Sequence, residues 1–270
     1  MIRFAMLGSG SQGNGTVVQS GTTTILMDCG FMLRDAEARL RRLGIAPQDV
    51  SAVVVTHEHH YHIGGVARFA RKHRLPVWLT DGTRAGWRDG PVPRNQRVAS
   101  GEAFAIGDIK VEPFAVPHDA REPCHYVFGD GTFRVGVLSD AGSVTDAMRA
   151  ALSGCDALLL EFNHDAEMLA KGPYLPPLKL RIAGPLGHLS NAQAAAFVAT
   201  LDNTRLRHLV LTHLSLKNNT PELALAAARA ALIGDGLVGA PLGATSRPRP
   251  LLQEITCSHQ ELGLDWRVLQ

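Results

Sequence analysis

The sequence contains little cysteine. Its four cysteines are spread over 270 residues, and no two of them form a Cys-x-x-Cys pair. This spacing argues against a zinc ribbon, and four thiols in a chain of this length are not typical of a disulfide scaffold. We therefore predict that the thiols are reduced, as they are in a cytoplasmic protein.

Long apolar runs are also missing. No apolar segment approaches the roughly 18 residues that a membrane-spanning helix needs, so no membrane association is predicted. Residues 1–7 lack the long apolar stretch of a signal peptide and are predicted to form a strand. The formal net charge is only +2, which alone does not require a nucleic-acid partner. The basic clusters at 39–42 and 68–74 are typical of solvated helix faces.

A nucleotide-binding P-loop is absent as well. Glycines occur at positions 8, 10, 13 and 15, but no Lys-Ser or Lys-Thr pair follows them. The segment is therefore predicted to be a tight turn near a functional site.

Short apolar segments alternate with helical patterns along the chain, which predicts a mixed α/β protein. Strands are predicted around 51–55, 157–162 and 209–212, and helices around 63–73, 191–200 and 221–232. Between 77 and 138 strands are expected to dominate. Two halves of similar β-then-α order indicate two sheets packed face to face with helices outside. Residues 239–250, rich in Pro and Gly, are predicted to form a surface loop.

A dense histidine cluster is the most informative feature of the sequence. Four of the twelve histidines lie between His57 and His62. The cluster follows a predicted strand and precedes Gly64, Gly65 and a helix, so the loop is held firmly enough to aim several rings at one point. Imidazole is the commonest neutral nitrogen ligand of metals. A metal site is therefore favoured over a chance histidine-rich loop.

The cluster resembles the His-x-His-x-Asp-His motif of the metallo-β-lactamase superfamily. His57, His59 and His62 match three of its four ligand positions, and Tyr61 stands where the family has aspartate. In that family the first two histidines bind one metal, and the aspartate and last histidine bind a second.

The same resemblance implies three further ligands in the expected order. His118 sits where the third histidine of the first site belongs, Asp140 where the bridging aspartate belongs, and His213 where the last histidine belongs. A lone histidine at a strand end is more often structural, but the common order favours a shared site. The implied fold is an αββα four-layer sandwich, as a single domain over 1–270 without a β-CASP insertion.

A narrower resemblance covers nearly the whole chain. The similar segments are 7–14, 117–120, 163–165, 187–191 and 212–223. They resemble the YycJ/WalJ (VicX) group of cytosolic bacterial proteins, which are regarded as 5′→3′ DNA exonucleases related to RNase Z and RNase J. This implies a metal-dependent phosphodiesterase in the cytoplasm with DNA as its substrate. No membrane association and no obligate protein partner are expected.

The implied chemistry needs no serine or cysteine nucleophile. A divalent metal lowers the pKa of a bound water and polarises the phosphate, so a metal-activated hydroxide is the expected nucleophile, and Asp140 is expected to bridge two ions. His188 is expected to contact phosphate or to donate a proton to the leaving oxygen.

The start of the helix at 191 is a candidate phosphate site. Ser190 and Gln193 have the spacing of a capping box, and free N–H groups at a helix start suit an anion. Asn191 and His164, from segments of the narrower resemblance, join Ser190 as predicted substrate or phosphate contacts. Plain capping by Ser190 and a structural His188 are equally compatible with the sequence.

Tyr61 leaves the second metal open, because a neutral phenol is a poor ligand with an ordinary pKa of about 10. The chain could bind one metal tightly, bind two with a Tyr61 phenolate or His60 as substitute ligand, or be a weakened relative. Zinc and manganese are the expected metals, and iron also suits His/Asp ligands. Competing functions are hydrolysis of a small ester, thioester or lactone, and a non-catalytic binding role. A basic groove would favour the nuclease, and a closed apolar pocket the small-molecule hydrolase.

Overall fold

A computed structural model describes residues 1–233 and 251–270. The predicted loop at 239–250 lies outside these residues. Within them the strands form two sheets of seven. The first contains β1 (Ile2–Gly8), β2 (Gly15–Ser20), β3 (Thr23–Met27), β4 (Ala52–Val54), β5 (Val77–Thr80), β6 (Asn95–Val98) and β14 (Leu264–Leu269). The second contains β7 (Phe104–Ile106), β8 (Ile109–Ala115), β9 (Cys124–Gly129), β10 (Arg134–Leu138), β11 (Ala157–Glu161), β12 (His208–Thr212) and β13 (Glu254–Cys257).

The two sheets are built alike. The first has the order β14-β1-β2-β3-β4-β5-β6, and the second β13-β12-β11-β10-β9-β8-β7. In the first sheet β1, β2, β3 and β14 pair antiparallel, whereas β3 to β6 are parallel. In the second, β7 to β10 are antiparallel and β10 to β13 are parallel. This arrangement confirms the two predicted halves.

Helices cover the outer face of each sheet. Their bounds are α1 (Leu33–Arg42), α2 (His60–Ile63), α3 (Val66–His73), α4 (Asp81–Gly86), α5 (Asp146–Leu152), α6 (Ala166–Lys171), α7 (Pro176–Ile182), α8 (Asn191–Thr200) and α9 (Pro221–Ile233). Apolar side chains of α1 and α3 pack on the first sheet, and those of α5, α8 and α9 pack on the second. Among the described residues, no helix combines the length and apolar character needed to cross a membrane.

Strand alternation divides the core into three layers. Phe4 and Met6 of β1 point into the space between the sheets, whereas Ala5 and Leu7 point toward the helices. A strand sends successive side chains to opposite faces, so a strand covered on both sides must be apolar throughout. The αββα four-layer fold is thereby confirmed.

Some local expectations were wrong. The predicted helix at 63–73 is broken into α2 and α3, because the Gly65 backbone N–H bonds the Cys29 carbonyl and a side chain at Gly65 would collide with the Phe31 carbonyl. Helix α4 interrupts the region expected to be mostly strands. Helices α6 and α7 were not predicted; in α7, which buries none of its residues, apolar and basic residues alternate and do not recur at helical spacing.

The carboxyl ends of β3, β4, β8, β10, β11 and β12 meet at one edge of the sandwich. Such an edge is where open α/β sheets bind ligands. The histidine cluster follows β4, and Asp140 follows β10 by two residues.

Candidate metal centre

A buried aspartate holds the histidine loop in place. Asp28 follows β3 with a left-handed backbone (φ 60°) and is fully buried. Its carboxylate accepts hydrogen bonds from the Thr56 backbone N–H (2.9 Å), the Thr56 hydroxyl (2.8 Å) and His62 Nδ1 (2.7 Å). Three donors satisfy a charge that burial alone would disfavour. The entry to the loop and its last histidine are thereby fixed relative to each other.

The first ligand group combines His57, His59, His118 and Asp140. One ligand atom from each lies within 4.8 Å of all the others. His118 Nδ1 donates to the Gly187 carbonyl at 3.0 Å, which leaves its Nε2 lone pair free for the centre. Burial lowers the pKa of His57 and of His59, so both imidazoles stay neutral as ligands must be. The donor set of three imidazoles and one carboxylate fits a divalent transition metal.

The second ligand group combines Asp140, Glu161, His188 and His213, again with ligand atoms within 4.8 Å of one another. His213 Nδ1 lies 2.5 Å from Asp140 Oδ1 and 3.1 Å from Glu161 Oε1. His188 Nδ1 donates to Glu161 Oε1 at 2.7 Å. Both groups therefore contain Asp140, which joins them into one centre.

Electrostatics keep both carboxylates of the centre charged. Burial alone would raise the pKa of Asp140, but His213 and His62 hold it well below its ordinary value. Burial likewise opposes the charge of Glu161, yet the adjacent His188 holds its pKa below the ordinary value. Two buried carboxylates beside the five histidines of the two ligand groups form a pocket suited to cations.

His62 contacts Asp140 but belongs to neither group. Its Nε2 lies 3.1 Å from Asp140 Oδ2, and its Nδ1 is bonded to Asp28. Burial disfavours the imidazolium, but Asp140 raises the pKa of His62 to about 9. The predicted ligand role of His62 stays a prediction.

Tyr61 and His60 were considered above as substitute ligands for the second metal, and neither has the features of a ligand in the structure. The Tyr61 hydroxyl lies 3.1 Å from His59 Nδ1, and burial raises the pKa of the phenol above its ordinary value. A neutral Tyr61 is therefore favoured over a phenolate. His60 is exposed and is in neither ligand group.

The predicted phosphate contacts are buried and bonded within the protein. Ser190 forms the predicted capping box with Gln193 at the start of α8. The Asn191 and Asn219 side-chain amides bond each other, and His164 Nδ1 lies 3.3 Å from Asn163 Oδ1. Helix capping accounts for Ser190, and the phosphate role of all three residues remains a prediction.

Two functional candidates, Asp28 and Glu161, were missed from the sequence. Each stands at or just after the carboxyl end of a strand that is otherwise apolar or buried. An acidic residue in that position is the signal that could have found them, because burial of an unpaired carboxylate is costly.

The centre opens to solvent beside helix α7. A cleft of about 160 Å³ is lined by Tyr61, Asp119, Tyr174, Leu178, Arg181, Ile182, Gly187 and His188. Arg181 Nε donates to Asp119 Oδ2 at 2.6 Å. His188 thus belongs to the second ligand group and also lines the open cleft.

Comparisons with known proteins agree with this geometry. Residues 23–214 match the Beta-lactamase superfamily domain. The chain is 37% identical over 227 residues to Exodeoxyribonuclease YycJ of Bacillus anthracis, covering 83% of this chain and 86% of the relative. It is 36% identical over 229 residues to Exodeoxyribonuclease WalJ of Streptococcus pneumoniae, covering 82% and 85%.

Solved structures share the fold. The metallo-β-lactamase fold protein YhfI from Bacillus subtilis superposes with a TM-score of 0.72 at 16% identity, covering 98% of this chain and 100% of that one. Zn²⁺-bound PqqB from Methylobacterium extorquens gives a TM-score of 0.65 at 17% identity, covering 97% and 99%. At these identities the likeness concerns the fold alone.

Proposed function

Because the chain is a metal-dependent hydrolase that belongs to the metallo-β-lactamase superfamily, we propose that it is an exonuclease that trims DNA in the cytoplasm from the 5′ end. The observation that carries the proposal is that two ligand groups share Asp140 beside an open cleft. The names of the relatives, which match over more than four-fifths of the chain, support DNA as the substrate.

His57, His59, His118 and Asp140 would hold the first metal, with zinc or manganese as the expected ion and iron as a further possibility. When bound, a divalent ion would supply Lewis-acid activation of water and neutralise phosphate charge. The chain's own contribution is to orient the imidazole rings. The Gly187 carbonyl holds the ring of His118, and Asp28 holds the ring of His62 next to Asp140.

His188 is the proposed proton donor. Its Nδ1–H is bonded to Glu161, which leaves Nε2 as the nitrogen that can reach a substrate in the cleft. A proton on Nε2 would pass to the leaving oxygen of the cleaved phosphodiester. Glu161 stabilises the imidazolium before transfer and keeps the ring oriented afterwards.

A small-molecule hydrolase is the second candidate, and the cleft lining favours it. Two aliphatic side chains, Leu178 and Ile182, and two tyrosines line the cleft. Among the described residues that line it, Arg181 is the single arginine or lysine, and it is paired with Asp119. An ester, thioester or lactone would suit that surface. The outcome is decided by which substrate the enzyme turns over.

The test is digestion of 5′-phosphorylated single-stranded DNA by protein stripped with chelator and reloaded with Mn²⁺ or Zn²⁺. We expect metal-dependent release of nucleotides that starts at the 5′ end, and no release by a His57→Ala variant. Fully metallated protein that leaves DNA intact but hydrolyses an aryl ester or a lactone would replace the nuclease proposal with the second candidate.

A further inference from the structure

Tyr61 stands where the family has an aspartate, so the centre has one negative charge fewer than the family's motif would give it. A phenol hydroxyl is a weaker metal ligand than a carboxylate, and here it lies within hydrogen-bond distance of His59. A second carboxylate ligand for a cation beside Asp140 would therefore come from elsewhere in the chain.

Glu161 offers such an oxygen. The side chain is fully buried, and its Oε2 accepts the backbone N–H groups of Ala141 (3.0 Å) and Leu189 (3.1 Å). Those two bonds fix the carboxylate and leave Oε1 facing His213 at 3.1 Å and His188 at 2.7 Å. A carboxylate oxygen has room for both a cation and one N–H donor, so the bond from His188 does not block a ligand role.

The backbone of His213 orients its imidazole ring toward Asp140 and Glu161. The residue has a left-handed conformation (φ 54°), which a residue with a side chain rarely adopts. Its N–H donates to the Ser9 hydroxyl at 2.8 Å, from the glycine-rich turn after β1. This conformation brings Nδ1 to Asp140 Oδ1 and Glu161 Oε1 at once. Two buried carboxylates thus converge on one imidazole.

We propose that a second divalent cation binds between Asp140, Glu161 and His213, with Glu161 Oε1 as the carboxylate ligand that Tyr61 does not provide. His188 stays outside the coordination sphere as a hydrogen-bond donor to Glu161. Asp140 would serve both cations, with Oδ1 toward His213 and Oδ2 toward His57 and His118. The inference rests on the proposed metal dependence, but it does not require that DNA be the substrate.

The experiment counts metal rather than activity. Wild-type protein is loaded with Mn²⁺ or Zn²⁺, desalted and analysed for bound metal, beside Glu161→Gln, the double variant Tyr61→Asp/Glu161→Gln, and Glu37→Gln. Glu37 is the matched control because it is also a buried glutamate bonded to a histidine, His73 at 2.9 Å, but on the outer helix α1.

We expect about two ions per chain in wild type and in Glu37→Gln, about one in Glu161→Gln, and about two again in the double variant. Two ions in a folded Glu161→Gln variant would overturn the proposal, as would a single ion in wild type. If Glu161→Gln does not fold, anomalous diffraction from Mn²⁺-loaded wild-type crystals decides. The proposal requires a second peak about 2.0–2.3 Å from Glu161 Oε1, and a peak beyond that reach contradicts it.

The failure of this inference is distinguishable from that of the proposed function. Protein that trims DNA with one ion refutes the second site alone. Protein that binds two ions through Glu161 but leaves DNA intact refutes the nuclease alone.

Discussion

The two halves of the metal centre are assembled in different ways. In the first half, two of the four residues come from one loop, in which His57 and His59 lie two residues apart after β4. The second half comes from Glu161 at the end of β11, His188 in the long connection from β11 to β12, and His213 directly after β12. A short loop concentrates ligands where the sequence displays them, whereas strand ends bring ligands together only after the sheet has formed.

The largest effect is expected from His57, and it tests whether activity requires the first ligand group. His57→Ala removes a fully buried ligand from the first group. Loss of the first metal should lower kcat/KM by about a thousandfold, equivalent to roughly 4 kcal/mol of transition-state stabilisation. The measurement is the rate on DNA together with metal content.

His60→Ala is the control for that change, because it alters an exposed histidine of the same loop that is in neither ligand group. It should keep both metal and rate. Equal losses in the two variants would mean that the loop acts through its fold and not through its ligands.

The next largest effect is expected from His188 in the second ligand group. His188→Gln should lower kcat by about a hundredfold or more, the usual contribution of a general acid, while bound metal stays unchanged. A good leaving group such as 4-nitrophenolate needs no proton donor, so the loss should be much smaller on a 4-nitrophenyl phosphodiester than on DNA. An equal loss on both substrates would exclude His188 as the donor.

The difference between the halves also explains what could be predicted. The fold and the clustering of His57, His59, His118, Asp140 and His213 could be predicted, because a dense motif was followed by single residues in a known order. Their roles as ligands stay predictions. Glu161 could not be predicted, since within the predicted strand at 157–162 it is one polar residue in an apolar run. Its role depends on His188 and His213, which lie 27 and 52 residues away along the chain.

The partner of His62 was hidden for the same reason. Asp28 lies 34 residues earlier and meets His62 only because β3 and β4 pair side by side in parallel. Helices α6 and α7 were also missed, and α7 contributes Leu178, Arg181 and Ile182 to the cleft wall near His188. The apolar residues of α7 alternate with basic ones, which gives no helical apolar stripe.

A smaller effect is expected from Asp28, which supports the loop that carries His57 and His59. Asp28→Asn replaces a carboxylate that accepts three hydrogen bonds with an amide that has one acceptor oxygen. The loop should loosen and metal affinity fall about 10- to 100-fold, as measured by competition with a coloured chelator. Asp35→Asn, at an exposed ion pair with Arg39 on α1, is the control that should leave affinity unchanged. Unchanged affinity in Asp28→Asn would show that the loop holds its ligands without this anchor.

The smallest effect is expected at Ser190, two residues after His188 of the second ligand group. A variant of Ser190 distinguishes a role in helix capping from a role in phosphate binding. The Ser190 hydroxyl accepts the Gln193 backbone N–H at 3.3 Å, and the Gln193 side chain returns a bond to the Ser190 N–H at 2.9 Å. Ser190→Ala should cost about 1 kcal/mol of unfolding free energy, seen as a melting temperature lower by roughly 2–4 °C. If Ser190 only caps α8, KM for DNA and metal content stay as in wild type. A several-fold rise in KM without a change in kcat would instead assign the hydroxyl to phosphate binding, because it would remove an interaction made equally in the ground and transition states.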